Sequence, residues 1–160
     1  MKIRAIAAVS LNGVFGNKNT NKLPWSKLYL EDLKFFRNTT INSTIIFGRN
    51  TFESINCKPL PKRRNILVSS VKSKVDGIET FGSLKEAIDQ CNDDVWLIGG
   101  LGIYSEGLKF VEEMYITSIP EVIEGDNLIY FPYINPNYFS IQESIYLDKD
   151  KKLICNIYKK

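Results

Sequence analysis

Among the residues able to carry chemistry in this 160-residue chain, histidine is missing altogether. Ser-His-Asp and Cys-His catalysis, His-ligated zinc and a histidine general base are therefore excluded. Proton transfer near neutral pH must use a carboxyl, Lys, Tyr or Cys with a shifted pKa, or water. Asp32 is the first carboxyl of interest. Leu28 stands four residues before it and Phe35 and Phe36 three and four after, so on a helix its carboxyl runs along an apolar side. Loss of water there raises its pKa, and the carboxyl could pair with the planar N–H edge of a heterocycle. Spacing alone favours a plainer reading, an acidic residue early in a helix suited to the macrodipole or paired with Lys34 or Arg37. Glu31 beside it fits that reading equally.

Three further constellations suit anions. Gly48-Arg49-Asn50-Thr51 follows an apolar run, where free N–H groups, a fixed charge and a hydroxyl would suit phosphate. It reads as readily as a plain strand-to-helix turn. Gly99-Gly100-Leu101-Gly102 would let backbone approach a pyrophosphate, although it is not the G-x-G-x-x-G fingerprint. Pro59-Leu60-Pro61-Lys62-Arg63-Arg64 could hold a carboxylate through a two-pronged arginine, or be a solvated basic loop, the commoner fate of a charge run. Lys149 to Lys152 and the Lys159-Lys160 end read as solvated turn and terminus.

Elements must position these residues. Ile3 to Ser10 predicts a buried strand. Leu11 to Ser26 predicts a long loop, rich in Asn and Gly yet carrying Phe15, Leu23 and Trp25, and loops of that length are commonly functional. Lys27 to Asn38 predicts a helix capped by Ser26. Thr44 to Phe47 predicts a strand, with a short helix after it capped by Asn50 and closed by Glu53. Asn65 to Ser69 predicts a strand. Ser83-Leu84-Lys85-Glu86 is a capping box opening a helix to about Cys91. Val95 to Ile98 predicts a strand before a further helix, and Met114 to Ile119 another strand. Tyr138 to Tyr146 and Leu153 to Tyr158 predict a closing antiparallel hairpin. Phe35, Phe36, Trp96 and Tyr104 are expected in the core. The alternation implies an α/β single domain over 1–160: a central, mostly parallel sheet with an antiparallel C-terminal edge and helices on both faces. Ligands in such sheets sit beyond the carboxyl ends of strands, where the glycine and polar clusters fall.

Lys plus Arg number 21 against 18 Asp plus Glu, a net +3, too little for a dedicated nucleic-acid binder. Cys57, Cys91 and Cys155 lie far apart, which argues against a disulfide framework or a cysteine-rich metal site; buried or half-buried thiols are expected. The apolar run after Arg4 ends at Val9, too short for a signal peptide, and no run spans a membrane. A cytoplasmic location, no membrane partner and a monomer are the expectations.

Taken in order, these segments resemble dihydrofolate reductase. The resemblance rests on Ile6 to Val9, Gly13 to Gly16, Leu23-Pro24-Trp25, Glu31 to Arg37, Gly48 to Ile55, Pro59-Leu60-Pro61 with Arg63, Ile98-Gly99-Gly100 with Tyr104, and Glu124-Gly125-Asp126 followed by Phe131-Pro132. It implies reduction of 7,8-dihydrofolate to tetrahydrofolate by hydride transfer from NADPH, without metal, in one-carbon metabolism, and an antifolate target. By the same resemblance Asp32 falls on the carboxylate that binds the pterin's N3 and 2-amino edge, with Thr117 linked to it and Trp25 beside the reaction. Ile6, Ala8, Leu33, Phe36, Ile55, Leu60 and Ile98 match the pterin and aminobenzoyl walls, and Arg63 the grip on the glutamate α-carboxylate. The cofactor set implied is Ala8, Phe15, Gly16, Gly48, Arg49, Asn50, Thr51, Ser69, Ser70, Ile98, Gly99, Gly100, Leu101, Gly102, Ile103 and Tyr104. Arg49 and Thr51 match phosphate binders, Ser69 and Ser70 the adenosine pocket, and the Gly99–Gly100 peptide is expected cis. Leu11 to Trp25 matches the loop that closes over the nicotinamide.

The resemblance also implies hydride delivery from cofactor C4 to pterin C6, with a water beside that loop as donor to N5 and Asp32 favouring protonation electrostatically. This chain departs from the family in carrying two extra residues between Trp25 and Asp32 and one near Asn56 to Lys58. Gly102 stands where some members have a basic residue, leaving Arg49 and Lys72 for the 2′-phosphate. Three alternatives make different demands. A pyrimidine reductase of riboflavin synthesis on this fold would not need Asp32 together with Arg63. A non-catalytic nucleotide-binding module would not need the carboxylate among apolar residues. A nucleic-acid binder would need more net charge.

Overall fold

The β-branched run at the N-terminus does form a strand. The computed structural model describes residues 1–150 and 152–160. In chain order it contains β1 (Ile3–Ser10), β2 (Val14–Asn17), α1 (Leu30–Thr40), β3 (Thr44–Phe47), α2 (Arg49–Ser54), β4 (Arg64–Val68), β5 (Ile78–Phe81), α3 (Leu84–Asp89), β6 (Val95–Leu97), α4 (Leu101–Gly107), β7 (Glu113–Ile119), β8 (Leu128–Tyr130), β9 (Ser140–Asp148) and β10 (Leu153–Lys159). One eight-stranded sheet has the order β5-β4-β3-β6-β1-β7-β10-β9, and β2 and β8 form a separate ribbon. The expected mostly parallel sheet with an antiparallel C-terminal end is what forms.

The chain divides into two compact units, Met1–Ala5 with Thr40–Val111, and Ile6–Thr39 with Glu112–Lys160. In the first, the parallel strands carry the apolar runs expected of strands covered on both faces: Ile45, Ile46, Phe47, Ile66, Leu67, Val95 and Leu97 are fully buried. Asp93 and Asp94 align the strand starts. The Asp94 carboxylate accepts from the Lys2 N–H and from Arg4, while Asp93 accepts from the Thr44 hydroxyl. Arg4 lies 4.2 Å from the centre of the buried Trp96 ring. Gly107 ends α4 against β6, and a Cβ there would fall 2.4 Å from Leu97 Cδ1.

In the second unit β10 pairs antiparallel with both β7 and β9, the predicted hairpin. Trp25, Tyr29, Ile119 and Leu153 form a buried cluster on which Ala8, Ile123 and Leu147 pack.

Several expectations are corrected. The helix predicted from Lys27 begins at Leu30, because the buried Tyr29 anchors the preceding stretch and Ser26 gives its N–H to Glu121 instead of capping. Leu28 is then exposed, and Phe35 and Phe36 are only half-buried. The second helix is capped by Gly48 in extended conformation, not by Asn50, which lies exposed within it. In α3 the Ser83 hydroxyl accepts from the Glu86 N–H as predicted, but the Glu86 carboxylate takes the Gly82 N–H. Strands β2, β5 and β8 were not expected, and β2 lies inside the predicted loop. Cys57 is exposed; Cys91 and Cys155 are buried.

Candidate active site

In the second unit the helix α1 presents Asp32 in its first turn, where the Asp32 N–H donates to the Tyr29 carbonyl at 3.1 Å. Strand β7 supplies Thr117, whose side chain is buried and hydrogen-bonds Asp32. Burial pushes the Asp32 carboxyl up to about 6, and the Thr117 hydrogen bond works against that rise. Directly opposite Thr117 in the β7–β10 register stands Cys155. Burial pushes its thiol up to about 12, so it stays neutral behind Thr117, to which it is also hydrogen-bonded. The arrangement is a desolvated carboxyl held by a buried hydroxyl, titrating near neutrality without any histidine. Ionised, it can accept two N–H donors from a heterocycle; protonated, it can donate.

In the same unit, Ile6 is buried and Ala8 and Phe36 are half-buried on β1 and α1. Leu33 is 40% exposed, an apolar side chain left open next to the carboxyl in sequence. Trp25 lies in the buried cluster with Tyr29. Phe15 packs edge-on to Phe131 at 6.2 Å, and Gly16 lies over Ile129.

In the first unit two chain segments, Gly48 to Thr51 and Gly99 to Tyr104, come together. The Gly48 N–H donates to the Gly99 carbonyl at 2.8 Å, and the Tyr104 N–H to the Gly100 carbonyl at 2.9 Å. The Gly99–Gly100 peptide is cis, as the resemblance implied. Gly99 has φ +118°, and a Cβ there would meet Thr51 Oγ1 at 3.1 Å and the Tyr104 ring at 3.3 Å. Only glycine leaves this cradle open. Ile103 and Tyr104, expected among the cofactor residues, are buried and support Gly48 and Gly99 from within. Leu101, Gly102, Arg49 and Asn50 are exposed. Arg49 lies 3.8 Å from Glu53. Ser69 and Ser70 follow β4, where the Ser69 hydroxyl accepts the Val71 N–H at 3.2 Å. Open glycine backbone, hydroxyls and an exposed arginine fit a phosphate-bearing nucleotide.

The same unit holds Ile55, Leu60 and Ile98, all half-buried, and the basic run. Its two arginines have different fates. Arg64 makes a forked pair with Glu79 at 2.6 and 2.9 Å and donates to the Gln90 carbonyl. Arg63 donates from Nε to the Pro61 carbonyl and from Nη1 to the Thr40 hydroxyl, each at 3.0 Å. Asn65, which the sequence did not single out, holds this loop. Its buried amide accepts the Leu60 N–H and donates to the Leu60 carbonyl, and it donates also to the Arg63 carbonyl at 2.8 Å. A polar amide heading an apolar strand was the available signal.

The family model for dihydrofolate reductase matches residues 2–159. The chain belongs to that family. A dihydrofolate reductase of Buchnera aphidicola subsp. Acyrthosiphon pisum is 48% identical over 135 residues, covering 82% of this chain and 80% of its own length. That of Bacillus subtilis is 35% identical over 153 residues, covering 94% of this chain and 87% of its own. Among solved structures, dihydrofolate reductase from Enterococcus faecalis complexed with NADP(H) and RAB-propyl superposes with a TM-score of 0.85 at 30% identity, covering 99% of this chain and 95% of that one. Family membership sets this chain with the dihydrofolate reductases rather than with the riboflavin-pathway reductase considered from sequence. Among the described residues no helix is long and apolar enough to cross a membrane.

Proposed function

We propose that this chain, a dihydrofolate reductase acting with NADPH on 7,8-dihydrofolate, holds the pterin on Asp32 and so maintains the tetrahydrofolate pool for one-carbon metabolism and thymidylate synthesis. The observation that carries the reading is the Asp32–Thr117 pair: a half-buried carboxyl with a raised pKa, fixed by a buried hydroxyl. When bound, NADPH supplies the hydride that reaches pterin C6. The chain's own residues supply position and charge. The Asp32 carboxylate accepts N–H bonds from the N3 and 2-amino edge. Its negative charge favours a proton on the ring system, so that water can deliver the N5 proton that no histidine is present to give. Thr117 holds the carboxyl in one orientation, and Trp25 borders the reacting ring.

Ile6, Leu33, Phe36, Ile55 and Leu60 form the apolar walls in this reading, and Arg63 takes the glutamate α-carboxylate. Gly48, Thr51, Gly99 and Gly100 cradle the cofactor's pyrophosphate, with Arg49 on its 2′-phosphate and Ser69 and Ser70 by the adenosine. Residues 1–160 form one reductase domain, a cytoplasmic monomer without nucleic-acid partners.

NADPH absorbance followed with and without dihydrofolate tests the reading. Consumption is expected only when dihydrofolate is present, and nearly none in Asp32→Asn. Equal consumption by Asp32→Asn would remove Asp32 from the reaction.

A further inference from the structure

The loop from Leu11 to Trp25 begins and ends on one residue. Glu121 follows β7, and its backbone carbonyl accepts the Leu11 N–H at 2.8 Å, where β1 gives way to the loop. Its carboxylate reaches the other end. Oε1 accepts the Ser26 N–H at 2.9 Å and Oε2 accepts the Tyr29 hydroxyl at 2.5 Å. Tyr29 is 2% exposed and packs with Trp25, Ile119 and Leu153. Its carbonyl in turn accepts the N–H groups of Asp32 at 3.1 Å and Leu33 at 3.3 Å. Ser26 and Tyr29 both lie between the loop and the helix that carries Asp32, so this connecting stretch is tied down at two points.

We infer that Glu121 is a positioning residue: it ties both ends of the Leu11–Trp25 loop and, through Tyr29, sets the start of the helix that carries Asp32. A carboxylate is suited to this because it is acceptor-only and both of its oxygens meet a donor. Burial pushes the Glu121 carboxyl up, but the Tyr29 hydroxyl, the Ser26 N–H and nearby Lys27 outweigh it and hold the group below the ordinary range. The tie is therefore ionised throughout the neutral range. The effect on turnover rests on the proposed role of Asp32; the tie itself does not.

Tyr29→Phe removes one hydroxyl and keeps the buried ring, and Glu121→Ala removes both side-chain ties. Limited trypsin cleavage after the exposed Lys22, run well below the melting temperature, reads loop opening independently of catalysis. Cleavage should quicken about fivefold or more in Glu121→Ala and by less in Tyr29→Phe. The double variant should match Glu121→Ala, because the two side chains share one bond. The kcat/KM for dihydrofolate should fall roughly three- to tenfold in both single variants, while a melting temperature within a few degrees of the parent excludes general unfolding. Unchanged cleavage, or additive effects in the double variant, would overturn the tie. Faster cleavage with an unchanged kcat/KM would overturn its link to Asp32. A failure of the Asp32 reading appears separately, as normal turnover by Asp32→Asn.

Discussion

Asp32 is held where its charge costs stability. Its carboxyl titrates at about 6 in the folded chain against 3.8 as an ordinary side chain. Because the folded state binds the proton more tightly, stability falls as pH rises from about 4 to about 6 and stays lowered above that. At about 1.36 kcal/mol per pKa unit the penalty is at most about 3 kcal/mol. Asp32→Asn should then be more stable than the parent at pH 7 by ~1–3 kcal/mol and close to it below pH 4, which urea titrations at the two pH values would show. The same variant should lose about a hundredfold or more in kcat, the size of one lost charge-dependent contact in the transition state. Arg63→Lys should raise the KM for dihydrofolate by the equivalent of ~1.5–3 kcal/mol and leave that for NADPH nearly unchanged. Arg64→Lys should instead affect stability, since Arg64 is committed to Glu79. Arg49→Ala should weaken NADPH more than NADH, read from the two KM values. The run Lys62-Arg63-Arg64 could not itself separate the two arginines. What separates them is Glu79 on β5, a strand too short and polar to be read in advance.

At the scale of elements, legibility followed apolar density. β1 and β3 were readable to the residue because each is a near-continuous apolar run. β2 and β8 were not, since Val14–Asn17 and Leu128–Tyr130 are strands only through each other. The start of α1 was displaced by a tertiary bond, Tyr29 to Glu121, that no local spacing reveals. Two glycines of α4 give a prediction of opposite signs. At Gly102 a Cβ would meet nothing within 4 Å, so Gly102→Ala should stabilise by about 0.5–1 kcal/mol through helix propensity. At Gly107 the added methyl would strike Leu97 and approach Leu84, both fully buried and unable to swing clear. Gly107→Ala should therefore destabilise by ~1–2 kcal/mol, overpacking outweighing propensity. Urea midpoints at constant slope would measure both.

For the whole molecule, alternation of strands and helices declared a parallel sheet, and two long polar-apolar strands at the end declared its antiparallel side. The strand order did not follow from the sequence, because it depends on pairings such as β6 beside both β1 and β3. The buried thiols have a use here that has nothing to do with catalysis. Cys91 lies in the first compact unit and Cys155 in the second, while Cys57 is exposed. Burial pushes the Cys91 thiol up and the Cys155 thiol to about 12, so neither reacts until its surroundings open. A thiol reagent should consume one equivalent promptly, at Cys57, and two slowly. Each slow rate is then a stopwatch for its own half of the chain: identical rates under rising urea mean that the halves come apart in one event, and unequal rates give the order in which they do.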